Sequence, residues 1–497
     1  MHRALRRRVP ASVWVLVLCA AWVAESAASD RRLVEAAKQG DEKAVAQLLE
    51  QGADVDTPQG DGATALHWAA HRNDARMLDR LIESGADVDA ANDLGATPLW
   101  VACAGRNTAA VLRLLEAGAS PVARLHAGET VLMRCAYTGD AAAVEALLDR
   151  GAEIDAIEPS RGQTALMWAA ASGQPAVARL LLERGAAVDA RTGTVRQLRG
   201  TGLRSTTSPA GATEFDAGGF TPLLFAARHG DADSVRVLLD GGADVNEAAA
   251  DGNSALVIAA MSGHARLAEL LLARAADPNA AGAGYTALHA AVLRADAGLV
   301  RALLAQGADP NAPLTRSTPV PRWTYQYVLT LREKGATPFL LAVKYLEPEI
   351  ARLLAAAGAD PLATFEDGTT ALMAAVGLGM SRATTRRSRL IAPELVAAEW
   401  ADEERVLESV RAAVEAGAAA TIHAATETGN TALHGAARNG FTTVVELLEG
   451  HGGDVDAENE DGTTPRDLLE TLRAAAPDEE QRPHHADVRV DVLTEAE

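Results

Sequence analysis

One short pattern recurs eleven times along the chain and limits what it can fold into. It starts at Thr64-Ala65-Leu66-His67 and returns, always with Thr or Ser first, at Thr97, Thr130, Thr164, Thr221, Ser254, Thr286, Thr337, Thr370, Thr431 and Thr464. Seven of the ten steps lie within one residue of 33, and a glycine stands two residues before every Thr or Ser. A fixed period of this length predicts one array of stacked units rather than several globular domains.

Each part of the pattern has a local physical meaning. The glycine permits the positive φ of a tight turn, and the Thr hydroxyl caps the helix that follows. Pro98 occupies a first helical position, as prolines do in three other units. The first helix carries Leu66, Ala69 and Ala70, and a second helix with a Val-x-x-Leu-Leu stripe ends at Gly-Ala. The pattern therefore predicts two short helices and a projecting turn in every unit.

This unit resembles the ankyrin repeat, and the resemblance covers roughly residues 30–475. It implies an all-α solenoid in which helix-turn-helix units with β-turn fingers, about twelve in number, stack into a curved superhelix. The first unit, 30–62, lacks the Thr-x-Leu start, and the last places Arg466 where others have Leu or Phe. Both departures suit solvent-facing caps of a solenoid at 29–475, which an acidic tail follows at 476–497.

Composition and charge exclude several classes of function. Only 18 of the 497 residues are aromatic, which suits thin layers filled with alanine and leucine better than large globular cores. The net charge of −21 repels phosphate backbones, so we expect no nucleic-acid partner. No metal-binding, phosphate-loop or nucleophile motif occurs, so we expect no metal, no cofactor and no enzymatic activity. At His67, His289 and His434 the resemblance implies a structural histidine that hydrogen-bonds the turn.

The first 28 residues have the features of a cleaved export signal. Four arginines between positions 3 and 8 precede an uncharged apolar run over 9–24, and small residues follow up to Ala28. The run is shorter than the about 20 residues of a membrane span, which favours cleavage over an uncleaved anchor and leaves no stable span. With a resemblance to exported bacterial ankyrin-repeat proteins and an excess of arginine over lysine, this predicts a bacterial protein that is periplasmic or secreted.

Two cysteines, Cys103 and Cys135, remain after this signal, each in an alanine position of a first helix. Axes of neighbouring helices lie about 8–10 Å apart, which is long for a disulfide whose Cα atoms sit within about 7 Å. We therefore expect two buried thiols, with a disulfide bridge as the alternative.

Three insertions interrupt the period, near 191–216, 313–334 and 377–402. The first two enlarge fingers, whereas the third separates the two helices of one repeat. The first and third insertions are rich in arginine. This composition is typical of a solvated surface, or of a segment that binds to the acidic body of the solenoid. The second holds Trp323, Tyr325 and Tyr327, which either cover the solenoid or form part of a binding site. An active site built from these segments is the enzymatic alternative, although none holds an acid–base pair with a nucleophile.

Ankyrin-repeat proteins generally bind other proteins through their finger tips and through the eighth and ninth positions counted from the Thr. Together with the aromatic insertion, these positions predict a protein-binding set: His71, Arg72, Tyr137, Thr138, Phe220, Arg228, His229, Tyr285, Leu293, Arg294, Trp323, Tyr325, Tyr327, Lys344, Tyr345, Arg438 and Asn439. Arginine and tyrosine are frequent among interface hot spots. We expect a monomeric scaffold for a protein partner that the sequence does not identify, and as an alternative a secreted effector that acts on a host protein by binding.

Overall fold

A computed structural model of the protein describes residues 31–200, 212–318, 329, 333–378 and 402–475. The predicted export signal, the C-terminal tail and most of the second and third insertions lie outside these residues. The described residues fall into two compact units. Unit 1 runs to Gln197 and resumes from Glu214 to Asp277, and unit 2 comprises Leu198–Thr213 and the chain from Pro278.

The described part of unit 1 is a stack of helix pairs, each with a first and a second helix. The pairs are α1 (31–39) with α2 (Glu42–Glu50), α3 (Ala65–His71) with α4 (Ala75–Glu83), α5 (Pro98–Ala104) with α6 (Thr108–Glu116), α7 (Val131–Thr138) with α8 (Ala141–Asp149), α9 (Ala165–Ala171) with α10 (Pro175–Glu183), α11 (Pro222–His229) with α12 (Ala232–Asp240), and α13 (Ala255–Ser262) with α14 (Ala265–Ala273). Between α10 and α11 the first insertion forms paired strands β1 (Thr194–Gly200) and β2 (Ala212–Gly218), so it enlarges a finger as predicted.

Unit 2 continues the same pattern. Its pairs are α15 (Ala287–Leu293) with α16 (Ala297–Ala305), α17 (Pro338–Lys344) with α18 (Pro348–Ala356), α19 (Ala371–Ala375) with α20 (Glu403–Glu415), and α21 (Ala432–Arg438) with α22 (Thr442–Gly450), followed by α23 (Pro465–Ala475). A short 3₁₀ turn, Ala418–Thr421, follows α20. The third insertion separates α19 from α20, as predicted. In neither unit does a described helix reach the length and apolar character that crossing a membrane requires.

The helices begin where the sequence predicts because local groups fix their ends. The hydroxyl of Thr97 accepts a hydrogen bond from the third residue of α5, and Pro98 fills the first helical position. Asp140 caps the second helix α8 in the same way. All eleven glycines of the pattern have positive φ. At Gly95 a Cβ would also lie 2.8 Å from the backbone nitrogen of His126, so glycine permits the close approach of neighbouring fingers.

Stacking supplies the core that no single repeat could form. Leu66, Ala69 and Ala70 on α3 are completely buried. Successive fingers are joined by backbone hydrogen bonds, such as the one that Asp93 N–H donates to the Asp61 carbonyl at 3.0 Å. Each unit is therefore built from thin layers that are stabilised by their neighbours.

The two cysteines form a disulfide, so the prediction of two free thiols is wrong. Cys103 on α5 and Cys135 on α7 are buried and bonded to each other, with a Cα–Cα distance of 4.8 Å. The prediction compared the distance between helix axes with the largest Cα–Cα distance that a disulfide allows. Cα atoms, however, lie about 2.3 Å from the helix axis. Facing residues on helices about 9 Å apart therefore bring their Cα atoms to about 4–5 Å, well within reach of a bridge.

The three histidines of the Thr-x-Leu-His motif have the structural role that was predicted. Nδ1 of His67 accepts a hydrogen bond from the Thr64 N–H at 3.1 Å, and Nε2 donates to the Ala96 carbonyl at 2.9 Å. His289 and His434 make the same pair of bonds within unit 2. Burial lowers the pKa of all three rings.

Candidate protein-binding surface

Most predicted binding residues lie on accessible surface. In unit 1 the exposed ones are His71, Arg72, Tyr137, Arg228 and His229, and the half-buried ones are Thr138 and Phe220. In unit 2 Arg438 and Asn439 are exposed and Arg294 is half-buried. Trp323, Tyr325 and Tyr327 lie outside the described residues, so their role stays a prediction.

Four predicted residues are buried, and their prediction as accessible surface is wrong. They are Tyr285, Leu293, Lys344 and Tyr345, all in unit 2. Lys344 forms an ion pair with Glu333 at the end of the second insertion, and the Tyr345 hydroxyl donates to the same carboxylate at 2.5 Å. Thr315, at the start of that insertion, donates its N–H to the Gly284 carbonyl beside Tyr285 at 2.8 Å. Leu293 is apolar, and its side chain is completely buried in the core of unit 2. The insertion thus occupies a face that the repeat pattern leaves open.

Another position of the first helices distinguishes the two units. In unit 1 the fourth residue after the Thr is large and half-buried in five of six repeats: Trp68, Val101, Arg134, Trp168 and Phe225. In unit 2 the first four equivalents are buried: Ala290, Leu341, Ala374 and Gly435. Leu378 packs so closely that its Cδ1 would lie 2.5 Å from a Cβ at Gly435. At this position the first helices are therefore accessible in five repeats of unit 1 and buried in four repeats of unit 2.

Four side chains of unit 1 meet across three consecutive first helices. We name Trp100 of α5, Arg134 and Tyr137 of α7, and Trp168 of α9 the aromatic–arginine cluster. The guanidinium carbon of Arg134 lies 4.9 Å from the ring centre of Trp100 and 5.5 Å from those of Tyr137 and Trp168. A cation is attracted to ring faces at these distances. Tyr137 and Trp168 also meet edge to face, with ring centres 5.9 Å apart.

Glu129, which precedes the N-cap residue Thr130 of α7, orients the cluster. Its carboxylate accepts hydrogen bonds from Nε and Nη2 of Arg134 at 2.7 and 3.0 Å and from the Trp100 indole N–H at 3.1 Å. The side chains of Arg134 and Glu129 are only 23% and 12% exposed, so this two-pronged ion pair is well shielded from solvent. The charge of Arg134 is balanced within the site, while the Tyr137 ring is 47% exposed.

The disulfide holds the helices that carry the cluster. Cys103 lies three residues after Trp100 on α5, and Cys135 directly follows Arg134 on α7. The Thr138 hydroxyl donates to the backbone carbonyls of both cysteines at 3.1 Å. A covalent bond between α5 and α7 thus fixes the separation at which Trp100 and Arg134 stack.

The sequence analysis identified Tyr137 but missed Trp100, Arg134 and Trp168. A signal for them was present, because three of the seven tryptophans of the chain, Trp68, Trp100 and Trp168, fall in first helices of the repeats. At the position that Trp68 and Trp168 share, the fourth after the Thr, three repeats of unit 2 hold a small residue: Ala290, Ala374 and Gly435. Large side chains that replace small ones in neighbouring repeats indicate a face that the stack itself does not bury.

Comparison with family models agrees with this architecture. Family models for ankyrin repeats match residues 33–125, 122–192 and 223–313, and a model for a single ankyrin repeat matches 428–460, together more than half of the chain. Among solved structures, the ankyrin-repeat domain of human ASB11 is 26% identical; the match covers 56% of this chain and 98% of that one, with a TM-score of 0.39. No curated protein matches.

Proposed function

This chain belongs to the ankyrin-repeat family, and from that premise we propose that it is a non-enzymatic interaction protein that holds a partner protein against the aromatic–arginine cluster of unit 1. Ankyrin repeats are generally protein–protein interaction modules. One observation carries the proposal: aromatic side chains are accessible on three consecutive first helices, α5, α7 and α9. Tryptophan, tyrosine and arginine are the residue types most enriched at interface hot spots.

The proposal includes export to an oxidising compartment, as the N-terminal residues predict. The disulfide between Cys103 and Cys135 supports it, because structural disulfides persist outside the reducing cytosol. The rival function, a secreted effector that acts on a host protein by binding, would use the same surface. Recovery of the protein in the culture medium rather than in the cell envelope would favour that rival.

Site-specific photo-crosslinking tests the binding surface. We expect the photoreactive amino acid p-benzoylphenylalanine at position 137 to form a covalent adduct with the partner in an envelope extract of the source organism. The matched control places it at Leu112, which is 39% exposed on the second helix α6 of the same unit. An adduct at both positions, or at neither, would contradict the proposed surface.

A further inference from the structure

The disulfide of unit 1 takes the place of a pair of alanines. Cys103 is the sixth residue after its Thr, and Cys135 is the fifth residue after its own. Elsewhere in the repeats of unit 1 that begin with Thr or Ser, both positions hold a completely buried alanine: Ala69, Ala70, Ala102, Ala136, Ala169, Ala170, Ala226, Ala227, Ala259 and Ala260. At this level neighbouring first helices of unit 1 therefore pack against each other through methyl groups.

Two thiols need more room at this level than a bonded pair of sulfur atoms. The Cα atoms of Cys103 and Cys135 are 4.8 Å apart, and both residues are completely buried. Sulfur atoms that share a bond lie far closer together than two sulfur atoms in van der Waals contact. Because protein interiors are close-packed, a thiol cannot turn away without displacing a neighbouring side chain. Reduction of the disulfide therefore pushes α5 and α7 apart.

The same two helices carry the stacked side chains of the aromatic–arginine cluster. Trp100 lies three residues before Cys103 on α5, and Arg134 directly precedes Cys135 on α7. Glu129 must reach both side chains, because it accepts from the Trp100 indole N–H at 3.1 Å and from Nε of Arg134 at 2.7 Å. Hydrogen bonds are lost when these distances grow much longer. A wider separation of α5 and α7 thus breaks the bond from Trp100 and takes its ring away from Arg134.

We propose that the disulfide is a redox switch for the binding surface. The cluster is assembled when Cys103 and Cys135 are bonded, and it is pulled apart when they are thiols. The oxidant is another disulfide: one bond forms between the two cysteine sulfurs, and two electrons and two protons pass to the oxidant, which leaves as two thiols. This inference rests on the proposed function and adds its regulation, because a chain in a reducing compartment would not present the surface.

Exchange of indole N–H groups with solvent tests the switch without a partner. In protein labelled with ¹⁵N-tryptophan, the NMR signal of the Trp100 indole is identified by its loss in Trp100→Phe. One sample is unfolded in urea with a reductant and refolded with the reductant present, and a second sample undergoes the same steps without reductant. Thiol alkylation verifies the redox state of each. We expect reduction to speed exchange of the Trp100 indole about tenfold or more, the factor for a lost hydrogen bond to a charged group.

Trp68 is the matched control within the same protein. Its indole N–H donates to Gln59 at 3.2 Å and lies in unit 1 outside the cluster, so reduction should leave its exchange unchanged. The decisive variant is Cys103→Ala/Cys135→Ala, which cannot form the bond but restores the alanine pair of the other repeats. Its Trp100 indole should stay as protected as that of the oxidised protein.

Three results would overturn the inference. The first is equal protection of the Trp100 indole in reduced and oxidised protein. The second is a joint loss of protection at Trp100 and Trp68, which would mean that reduction unfolds the unit instead of opening the cluster. The third is exchange at Trp100 of the double alanine variant as fast as in the reduced protein.

Crosslinking at position 137 of the oxidised protein separates this inference from the proposed function. If the adduct with the partner forms while the exchange experiment fails, the redox switch is wrong and the proposed function stands. If no adduct forms, the proposed function is wrong whatever the exchange rates show.

Discussion

The histidine of each Thr-x-Leu-His motif is held in one tautomer by its neighbours. In unit 2 the Thr286 N–H donates to Nδ1 of His289 at 3.2 Å, so Nδ1 must be an unprotonated acceptor. The Ala336 carbonyl, 3.3 Å from Nε2, can only accept, so Nε2 must carry the proton. Protonation of Nδ1 would set two donors against each other. Burial opposes the charge as well and lowers the pKa of His289 to about 4.

Stability should therefore fall as the solution becomes acidic. The unfolded state binds a proton near the ordinary histidine pKa of 6.5, whereas folded His289 binds it only near pH 4. The contribution of His289 to the free energy of unfolding is fully present above about pH 6.5, is lost progressively towards about pH 4, and amounts to about 3 kcal/mol. Urea denaturation over this range measures it. His289→Gln should reduce the pH dependence, and an unchanged dependence would contradict the assignment.

At the scale of elements, the second insertion buries residues of α17 that the repeat pattern alone would leave accessible. Its described ends fold together, since Leu329 N–H donates to the Thr318 hydroxyl at 2.9 Å and both residues are buried. Glu333 then reaches the inward side of α17, where it pairs with Lys344, and both side chains are at most 1% exposed. The repeat pattern predicts that Lys344 is accessible, but the inserted segment covers it.

Breaking the buried ion pair between Lys344 and Glu333 should lower the free energy of unfolding far more than breaking the exposed pair between Lys334 and Glu366. Lys344→Met leaves the Glu333 carboxylate buried without the ammonium that balances its charge, so we expect a loss of about 3–5 kcal/mol in the free energy of unfolding. Lys344→Met/Glu333→Leu removes both charges and should recover much of that loss. The control is Lys334→Met, which breaks the largely exposed pair with Glu366 and should cost at most about 1 kcal/mol. Equal losses for the two single variants, measured by urea denaturation, would contradict the buried pair.

At the scale of the whole molecule, the two units differ in what they leave open. Unit 1 keeps large side chains on its first helices accessible and ties α5 to α7 through the disulfide. Unit 2 covers the equivalent positions with its own residues. Since stability in a repeat array is shared between neighbours, a bond between consecutive repeats stabilises the part of the stack that carries the proposed binding surface.

The proposed export predicts the redox state of the native protein. Protein taken from the compartment where it resides, then denatured and treated with a thiol-alkylating reagent, should show no reactive Cys103 or Cys135 until a reductant is added. The bridge spans 32 residues, so its reduction should lower the free energy of unfolding by about 3–4 kcal/mol. In Cys103→Ala, Cys135 should be labelled without reductant, and reductant should no longer change stability. Full labelling of the wild type before reduction would exclude an oxidising compartment.

The sequence by itself determined the repeat, its helices and the role of its histidines. These features depend on interactions within about one period: a Thr cap, a proline at the first helical turn, a glycine with positive φ. A neighbour with the same pattern on either side repeats the same environment, so local chemistry sufficed. It also placed Tyr137 on the accessible face.

Only the tertiary structure decided which positions of the shared pattern face solvent and which groups meet. The pairing of Cys103 with Cys135 depends on how closely two helices pack, and the burial of Lys344 depends on the fold of an insertion outside the period. The meeting of Trp100, Arg134 and Trp168 requires three repeats in register. A period describes what all repeats share, whereas these contacts arise where particular repeats differ.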